Sequence, residues 1–211
     1  LVDKGLLYRS NGGAATNNPY TNDRPVNEKE KIQREEKKRI AVAAAGLITP
    51  NDSIIIASGT TVLALAGNIH PKGSLTVFTS ALNVALELTR YPEVEVLQLG
   101  GLLRKSYSSV TGSYAEKILA DFSCSKLFLG VDGIDVEFGL TTTNLMEAHL
   151  NQQMIATSQK TIVLADSTKF GKRGFGKICG LEAIEQIITD TGISGHTVKT
   201  LEEMGIEVTI V

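Results

Sequence analysis

The feature that most constrains the fold is a run of three consecutive isoleucines, residues 54–56, followed at once by Ala-Ser-Gly-Thr-Thr. Consecutive β-branched residues indicate a strand that is buried on both faces, which is typical of a parallel sheet. Ser58 and Gly59 interrupt this run, and Thr60 begins an Ala- and Leu-rich stretch that predicts a helix. The sequence therefore predicts a strand, a tight turn and a helix in direct succession.

The predicted turn carries groups that suit a phosphate. The first amides of a helix have no partner within the helix, and that end of the helix dipole is positive. Gly59 would let an anion approach the backbone closely, and Ser58, Thr60 and Thr61 can each donate a hydrogen bond. Ser and Thr are also ordinary N-cap residues. The turn alone therefore leaves two interpretations open, a phosphate site and a capped helix start.

The alternation of strands and helices continues along the rest of the chain. Apolar runs bounded by Gly, Asp or Ser predict strands, and longer runs with helical spacing predict helices between them. Strands alternating with helices of this length favour an α/β fold with a mostly parallel sheet flanked by helices. Further strands are predicted at residues 75–79, 94–99, 126–131, 161–165, 177–179, 184–189 and 206–210. Further helices are predicted at residues 81–89, 114–122 and 145–158.

The N-terminal pattern differs and divides the chain into three predicted parts. Residues 1–13 predict a short hairpin arm that ends at two glycines. Residues 14–30 are interpreted as a linker, because most of them are rich in Asn, Thr, Pro and Ala without periodicity. Residues 31–211 are the predicted globular domain. Because Leu1 has no Met before it and the first residues begin midway through a pattern, we expect a chain that is truncated at its start.

A helix is predicted to begin at Glu28 and to end before Pro50. Glu30 and Arg34 have the i,i+4 spacing that stabilises a helix, and the apolar second half is expected to pack on the core. The Lys-Lys-Arg run at residues 37–39 lies among acidic residues. We interpret it as a solvated face rather than a nucleic-acid patch.

Composition argues against several classes of protein. The 211 residues carry a net charge of −2, so any DNA contact must come from a local patch or from a segment outside the chain. Cys124 and Cys179 have no metal-ligand spacing and suggest no disulfide framework, which fits a reducing cytoplasm. No apolar run approaches transmembrane length, and the start has no signal-peptide pattern. We therefore expect a cytoplasmic protein with no metal, no cofactor and no membrane contact.

Small polar or charged residues follow nearly every predicted strand. Ligands of open α/β sheets bind beyond the carboxyl ends of the strands, so these residues form the candidate site. Its carboxylates would accept hydrogen bonds from hydroxyl groups, and its cations would balance a phosphate. The candidate residues are Ser58, Gly59, Thr60, Thr61, Thr79, Ser80, Asn83, Gly100, Gly101, Arg104, Asp132, Gly133, Asp135, Glu147 and Lys169.

Several of these motifs, in this order, resemble the DeoR family of transcriptional regulators. The motifs are Ser-Gly-Thr-Thr at residues 58–61, Thr-Ser at 79–80, Gly-Gly at 100–101, Gly112, Asp-Ser-Thr-Lys-Phe-Gly at 166–171 and Ile-Thr-Asp at 188–190. The resemblance extends from about residue 37 to the end. Residues 5–14 also resemble the wing of that family's winged helix-turn-helix and the sequence after it, with Asn11 where His is frequent.

The resemblance implies a fold and a function. The fold would be similar to ribose-5-phosphate isomerase, glucosamine-6-phosphate deaminase and CoA transferases. The chain would be the effector-binding and oligomerisation domain of a bacterial repressor of sugar metabolism, sensing a phosphorylated sugar. Residues 1–13 would be the remnant of the wing, and operator DNA would be bound through the missing N-terminal domain. A homodimer or homotetramer is expected, because repressors usually bind two-fold operators.

The sequence departs from the family at Ala57, where Asp is common, and in its second motif, where Thr-Asn-Ser is common. Two other interpretations stay open. The first is a sugar-phosphate isomerase or deaminase that uses Asp132, Asp135, Glu147 and Lys169 in acid–base chemistry, although Val136 stands where the isomerase would have Glu. The second is a domain whose site has changed and that serves only oligomerisation.

Overall fold

The computed structural model describes residues 7–10, 13–16 and 25–211. The strands are β1 (Leu7–Ser10), β2 (Gly13–Thr16), β3 (Asp52–Ile56), β4 (Leu75–Thr79), β5 (Val94–Gln98), β6 (Leu102–Arg104), β7 (Ser109–Thr111), β8 (Cys124–Gly130), β9 (Gly133–Asp135), β10 (Gly139–Thr142), β11 (Ser158–Leu164), β12 (Gly176–Cys179), β13 (Gln186–Thr189) and β14 (Glu207–Ile210). The helices are α1 (Val26–Lys29), α2 (Arg34–Ala45), α3 (Thr60–Ala66), α4 (Leu82–Leu88), α5 (Ser113–Leu119), α6 (Leu145–Thr157) and α7 (Gly195–Glu203).

The centre of the fold is a parallel sheet of seven of the described strands, in the order β14-β13-β11-β8-β3-β4-β5. The isoleucines of β3 are fully buried, and they alternate between the two faces of the sheet. Ile54 and Ile56 belong to one apolar cluster, and Ile55 belongs to the other. The prediction of a parallel sheet from this run is therefore confirmed.

Helices cover both faces of the sheet. Apolar residues of α2, α3 and α4 pack in the cluster that contains Ile54, and those of α5, α6 and α7 pack in the cluster that contains Ile55. The fold is thus the predicted α/β arrangement, with a mostly parallel sheet between two layers of helices. Its strands agree with the predicted ones to within a few residues.

The chain changes direction across the sheet at β3 and β8. From β3 it builds outward through β4 to β5, then returns so that β8 pairs with the free edge of β3, and continues through β11 and β13 to β14. The carboxyl ends of β3 and β8 are therefore a topological switch point, which is where open α/β sheets bind ligands.

The predicted helix from Glu28 is broken into α1 and α2. Gln33, directly before α2, has φ 53° and ψ 43°, a left-handed conformation that no continuous helix contains. The side chain of Lys37 is buried, and its Nζ donates to the backbone oxygens of Lys29 and Ile32, at 2.7 Å each. The interpretation of Lys37 as part of a solvated face is therefore wrong, whereas residues 38 and 39 are exposed.

At the N-terminus, β1 and β2 form an antiparallel pair. This is a hairpin, as predicted for residues 1–13, but its second strand occupies residues that we interpreted as linker. Gly5, Asn11 and Gly12 lie outside the described residues.

Three features of the structure have no counterpart in the predictions: helix α7, the β6–β7 hairpin, and an antiparallel sheet in the order β12-β10-β9. The predicted strand at residues 177–179 is present, but as part of that small antiparallel sheet. None of the helices in the described ranges is long and apolar enough to cross a membrane. Within the same ranges, His, Cys, Asp and Glu form no group of three or more that could hold a metal ion.

Candidate functional site

A pocket lies at the carboxyl ends of β3 and β8, at the switch point of the sheet. It is bounded by the loop after β3, the end of β8, the start of α6, the β6–β7 turn and helix α1. The residues that line it are Lys29, Ser58, Gly59, Thr60, Thr61, Tyr107, Gly130, Val131, Asp132, Thr142, Glu147 and Lys169. Seven of the sequence-predicted site residues are thus brought together, all from loop 58–61, the end of β8, helix α6 and the turn after β11.

The loop of residues 58–61 forms one wall of the pocket. Gly59 has φ 133° and ψ 165°, a conformation that L side chains rarely adopt. A Cβ there would have only Val62 Cγ2 nearby, at 3.9 Å, so the backbone is open on that side. Within the described part of the chain, the amides of residues 59–61 donate to no carbonyl. The loop therefore presents free backbone donors beside its hydroxyl groups.

Glu147 forms the opposite wall, in the first turn of α6. Asn144 caps that helix by accepting from the Glu147 amide at 3.0 Å, which fixes where the side chain emerges. Ser58 Oγ donates to Oε1 at 2.9 Å, and Arg104 forms an ion pair with Oε2. Burial and the nearby charge of Asp132 outweigh Arg104 and Ser58, so that the pKa of Glu147 is raised.

Asp132 lies at the base of the pocket, two residues after β8. Its Oδ2 accepts from Thr142 Oγ1 at 3.1 Å and from the Thr143 amide at 3.3 Å. Its Oδ1 accepts from Lys29 Nζ at 2.7 Å. Burial opposes ionisation, but the charges of Lys29 and Lys169 outweigh it and lower the pKa of Asp132. Both oxygens of this carboxylate therefore accept hydrogen bonds from protein donors.

Lys29 and Tyr107 are pocket residues that sequence reasoning missed. Lys29 lies in the stretch interpreted as a linker, and Tyr107 in a turn that was not assigned. Lys29 Nζ donates to the Tyr107 hydroxyl and lies 4.6 Å from the centre of the ring, while Arg104 Cζ lies 4.4 Å from it. Although burial lowers it, Asp132 and Tyr107 raise the pKa of Lys29 to about 12. No sequence signal marked either residue, because both contacts span more than 75 positions.

Lys169 adds a second cation at the mouth of the pocket. It ends the short 3-10 turn Ser167–Lys169, which Asp166 caps by accepting from the Thr168 amide at 3.1 Å. This turn follows β11, the strand next to β8. The half-exposed side chain of Lys169 lines the pocket together with loop 58–61.

Three predicted site residues after β4 lie outside the pocket lining. Thr79 is fully buried, and its Oγ1 accepts from the Ala81 amide at 3.1 Å. The backbone oxygen of Ser80 accepts from the Val110 amide at 2.8 Å, and Asn83 Oδ1 accepts from the next residue's amide at 2.9 Å. Thr79 Oγ1 and Asn83 Oδ1 thus make local backbone contacts, and a ligand contact of these three residues stays a prediction.

Gly100 and Gly101 also lie outside the lining, in the connection from β5 to β6. Gly101 has φ 153°, and a Cβ there would be 2.5 Å from the backbone oxygen of Thr111. Glycine is thus required for the close approach of β6 to β7. The hairpin in turn positions Arg104, whose contact with Glu147 places it at the border of the pocket.

Asp135 and Gly133, in β9, are structural as well. Arg173 Nε and Nη2 donate to the Asp135 carboxylate at 2.9 and 3.0 Å. The amides of Glu137 and Phe138 also donate to it, at 3.0 and 2.8 Å. The Arg173 hydrogen bonds, followed by that of Phe138, lower the pKa of Asp135 to about 2. A Cβ at Gly133 would be 2.4 Å from the backbone oxygen of Lys172, so this glycine permits close packing.

Comparison with known proteins identifies a family for most of the predicted globular domain. Residues 32–191 match the family described as the DeoR C terminal sensor domain. The HTH-type transcriptional regulator YulB of Bacillus subtilis strain 168 is 36% identical over 211 residues, which cover 100% of this chain and 81% of that protein. The putative aga operon transcriptional repressor of Escherichia coli O157:H7 is 35% identical over 213 residues, covering 100% of this chain and 79% of that protein.

Among solved structures, the probable sor operon regulator from Shigella flexneri gives a TM-score of 0.49 at 13% identity, covering 80% of this chain and 88% of that one. Ribose 5-phosphate isomerase A from Methanocaldococcus jannaschii gives 0.46 at 13% identity, covering 65% of this chain and 55% of that one. The family match covers well over half of the chain, and the two regulators are aligned over all of it. The chain therefore belongs to the DeoR family of transcriptional regulators, and residues 32–191 are its C-terminal sensor domain.

Proposed function

We propose that this chain is the effector-sensing part of a repressor and that its pocket binds a phosphorylated sugar. The observation that carries the proposal is one pocket that joins a loop of free backbone amides and hydroxyl groups to two carboxylates, buried Glu147 and partly buried Asp132. The first wall suits a phosphate and the second suits sugar hydroxyls. Relatives named as an aga operon repressor, GlcR and GlpR support a role in the regulation of sugar metabolism.

The phosphate would lie against loop 58–61. The space beside the Cα of Gly59 is open, and Thr60 and Thr61 line the same pocket. Lys169 approaches from the turn after β11 and would balance the charge of the phosphate. Asp132 and Glu147 would accept hydrogen bonds from the hydroxyls at the other end of the ligand.

Three further parts of the proposal rest on the family. Residues 1–13 would be the remnant of the wing, and residues 14–30 the linker to residues 31–211. DNA contact would come from a winged helix-turn-helix preceding these residues in the full-length protein. A symmetric dimer or tetramer would match a two-fold operator.

The competing function is a sugar-phosphate isomerase or deaminase. Its acid–base chemistry needs carboxylates that can reach a substrate proton. Asp135 is engaged by Arg173, which leaves Asp132, Glu147 and Lys169 as candidates for such chemistry. We favour binding without turnover because the relatives are named transcriptional regulators. Conversion of ribose 5-phosphate by the purified protein would contradict this choice.

A thermal-shift panel tests the proposed function directly. The panel contains hexose 6-phosphates, ribose 5-phosphate, the same sugars without phosphate, and inorganic phosphate. A ligand at 100 times its Kd stabilises the folded state by about 2.7 kcal/mol. For a protein of this size that raises Tm by about 5–10 °C. We expect at least one sugar phosphate to reach this range and its free sugar to fall well short. An unchanged Tm throughout the panel would contradict the proposal.

A further inference from the structure

We propose that Lys29 closes the effector site in the ligand-free protein and that the effector must displace it from Asp132, thereby releasing helix α1. The inference rests on the proposed function, because it concerns the same pocket. It adds that the protein's own Lys29 side chain competes with the effector for Asp132. This residue lies before position 32, where the match to the sensor-domain family begins.

Lys29 is deeply engaged for a residue of a four-residue helix. Its side chain is only 16% exposed, and its Nζ contacts Asp132 and Tyr107, which lie 103 and 78 positions away along the chain. It is the one lining residue of the pocket that comes from before α2 in the described part of the chain. A segment otherwise peripheral to the sheet is thus attached to the middle of the site.

The position of Nζ at Asp132 makes Lys29 a competitor of a sugar hydroxyl. Thr142 and Thr143 already occupy Oδ2, and Lys29 donates to Oδ1. Lys29 holds the one acceptor position of Oδ1 for which a donor is seen among the described residues, so a ligand hydroxyl directed at that position takes the place of the lysine. The exchange is feasible because the incoming hydroxyl replaces the lost donor on this partly buried carboxylate.

The backbone connects this exchange to the preceding residues. Lys37 Nζ holds the backbone oxygens of Lys29 and Ile32 against the start of α2, at 2.7 Å each. Helix α1 is therefore fixed at two points, by Lys37 behind it and by the Lys29 side chain in the pocket. Loss of the second point frees the direction in which residues before 26 leave the sensor domain. A ligand changes this equilibrium only by binding the open form more tightly than the closed one.

The alternative role for Lys29 is direct contact with the effector. The two roles predict opposite changes in the Kd of the effector when Lys29 is replaced. A competitor weakens effector binding, so its removal lowers Kd; a ligand-binding residue strengthens it, so its removal raises Kd.

The first experiment needs no ligand. Hydrogen exchange is measured at the amides of Glu28, Lys29, Lys31 and Ile32, which donate to backbone oxygens within the α1 segment. In the Lys29→Met variant we expect these amides to exchange at least fivefold faster than in the wild type. Lys31→Met is the matched control, because Lys31 is exposed, and it should leave exchange unchanged. Asp132→Asn should act like Lys29→Met, and unchanged exchange in both of these variants would overturn the proposal.

The second experiment adds ribose 5-phosphate, glucose 6-phosphate and inorganic phosphate to the wild type and to Lys29→Met. We expect a sugar phosphate that binds to accelerate exchange in the α1 segment of the wild type, whereas inorganic phosphate, which has no sugar hydroxyls, does not. The same sugar phosphate should bind Lys29→Met several-fold more tightly. Weaker binding to Lys29→Met, or slower exchange on binding, would overturn the proposal. If neither sugar phosphate binds either protein, the proposed function fails for these sugars, and the ligand-free experiment still decides the role of Lys29.

Discussion

The two carboxylates of the pocket, Asp132 and Glu147, have opposite pKa shifts, and their neighbours explain the difference. Asp132 has Lys29 as a direct partner and Lys169 nearby, and their charges overcome the effect of burial. Glu147 has one cation, Arg104, and the negative charge of Asp132 opposes its ionisation. A phosphate placed between Lys169 and loop 58–61 would add negative charge to the same space. Lys169 is therefore the residue on which phosphate affinity should depend most.

We expect Lys169→Ala to weaken the binding of a sugar phosphate by about 10–100-fold, because a hydrogen bond to a charged group contributes about 1.5–3 kcal/mol. Isothermal titration calorimetry measures the effect. Lys160→Ala is the control, since Lys160 lies in the first half of β11 and its Nζ is 3.8 Å from Glu207. Equal affinities of Lys169→Ala and the wild type would contradict the assigned phosphate position.

A second expectation at this scale concerns pH and Lys37. Burial lowers the pKa of Lys37 from 10.5 to about 8, with Asp166 acting against the shift and Lys169 and Lys29 adding to it. Between these values the unfolded chain holds a proton that the folded protein has released, so stability rises with pH. Compared with Lys37→Met, the wild type should therefore gain stability from pH 8 to 10.5 and show a constant difference below pH 7. Urea denaturation of both proteins at several pH values measures this, and a constant difference across the whole range would refute it.

At the scale of elements, the β6–β7 hairpin positions the aromatic residue Tyr107 and the cation Arg104 at the pocket. Its turn carries Tyr107, and the end of β6 carries Arg104. The sequence predicted Gly100 and Gly101 as ligand-contacting glycines. In the structure, Gly101 instead allows the two strands to approach, and the adjacent Gly100 has open space around it. The two glycines offer a matched pair of substitutions.

We expect Gly101→Ala to lower the free energy of unfolding by about 1–3 kcal/mol, because a side chain at φ 153° is strained and its Cβ would be 2.5 Å from the Thr111 oxygen. It should also weaken effector binding through the displacement of Arg104. Gly100→Ala has nothing within 4 Å of its new Cβ and should change both quantities little. Thermal or urea denaturation separates them, and similar losses in the two variants would count against this role of Gly101.

The same scale shows which elements a sequence pattern can predict. The isoleucine run of β3 was predicted because consecutive β-branched residues indicate a strand buried on both faces, and the helix at residues 145–158 was predicted close to its observed bounds. The helix from Glu28 was not predicted correctly, since its break at Gln33 depends on Lys37 reaching backwards to two carbonyl oxygens. Helix α7 was missed because it is short and Leu201 is its only buried residue among those described.

At the scale of the whole molecule, the order of the strands decides which predicted residues share the site. Chain order places Thr79, Gly100 and Asp132 at the ends of three successive strands. The sheet order puts β8 beside β3, with β4 and β5 on the far side of β3. With a strand spacing of about 4.8 Å, the end of β4 lies about 10 Å from that of β8. Sequence reasoning could find the correct edge of the sheet, but strand order depends on contacts between distant residues.

The two ends of the sheet have separate roles, which a pair of substitutions can test. At the amino end of β3, buried Asp52 accepts from the Thr49 amide at 3.1 Å and from Lys126 Nζ at 2.5 Å. Asp52→Asn should lower the free energy of unfolding by about 1–3 kcal/mol at pH 7, because charge-assisted hydrogen bonds are weakened. Effector affinity should be unchanged, since β3 separates this end from the pocket by about 17 Å.

The loss in free energy of unfolding caused by Asp52→Asn should be smaller at low pH. Burial acts against it, but Lys126, Ser125 and Thr49 lower the pKa of Asp52, so its contribution is present above about pH 4 and disappears as pH falls through the lowered value. Asp132→Asn, at the carboxyl end, is the counterpart and should change affinity. Urea denaturation and calorimetry on both variants check the separation, and an altered effector affinity in Asp52→Asn would contradict it.

The position of Lys29 three residues before the matched family segment has a practical consequence for anyone who trims this protein. A recombinant fragment that starts at residue 32 keeps the central sheet, loop 58–61, Asp132 and Glu147 but lacks Lys29. Dissociation constants measured on this fragment would describe a pocket without the competing Lys29 side chain. Ligand screens on such fragments should therefore overstate affinity, and hits should be re-measured on protein that retains residues 25–31.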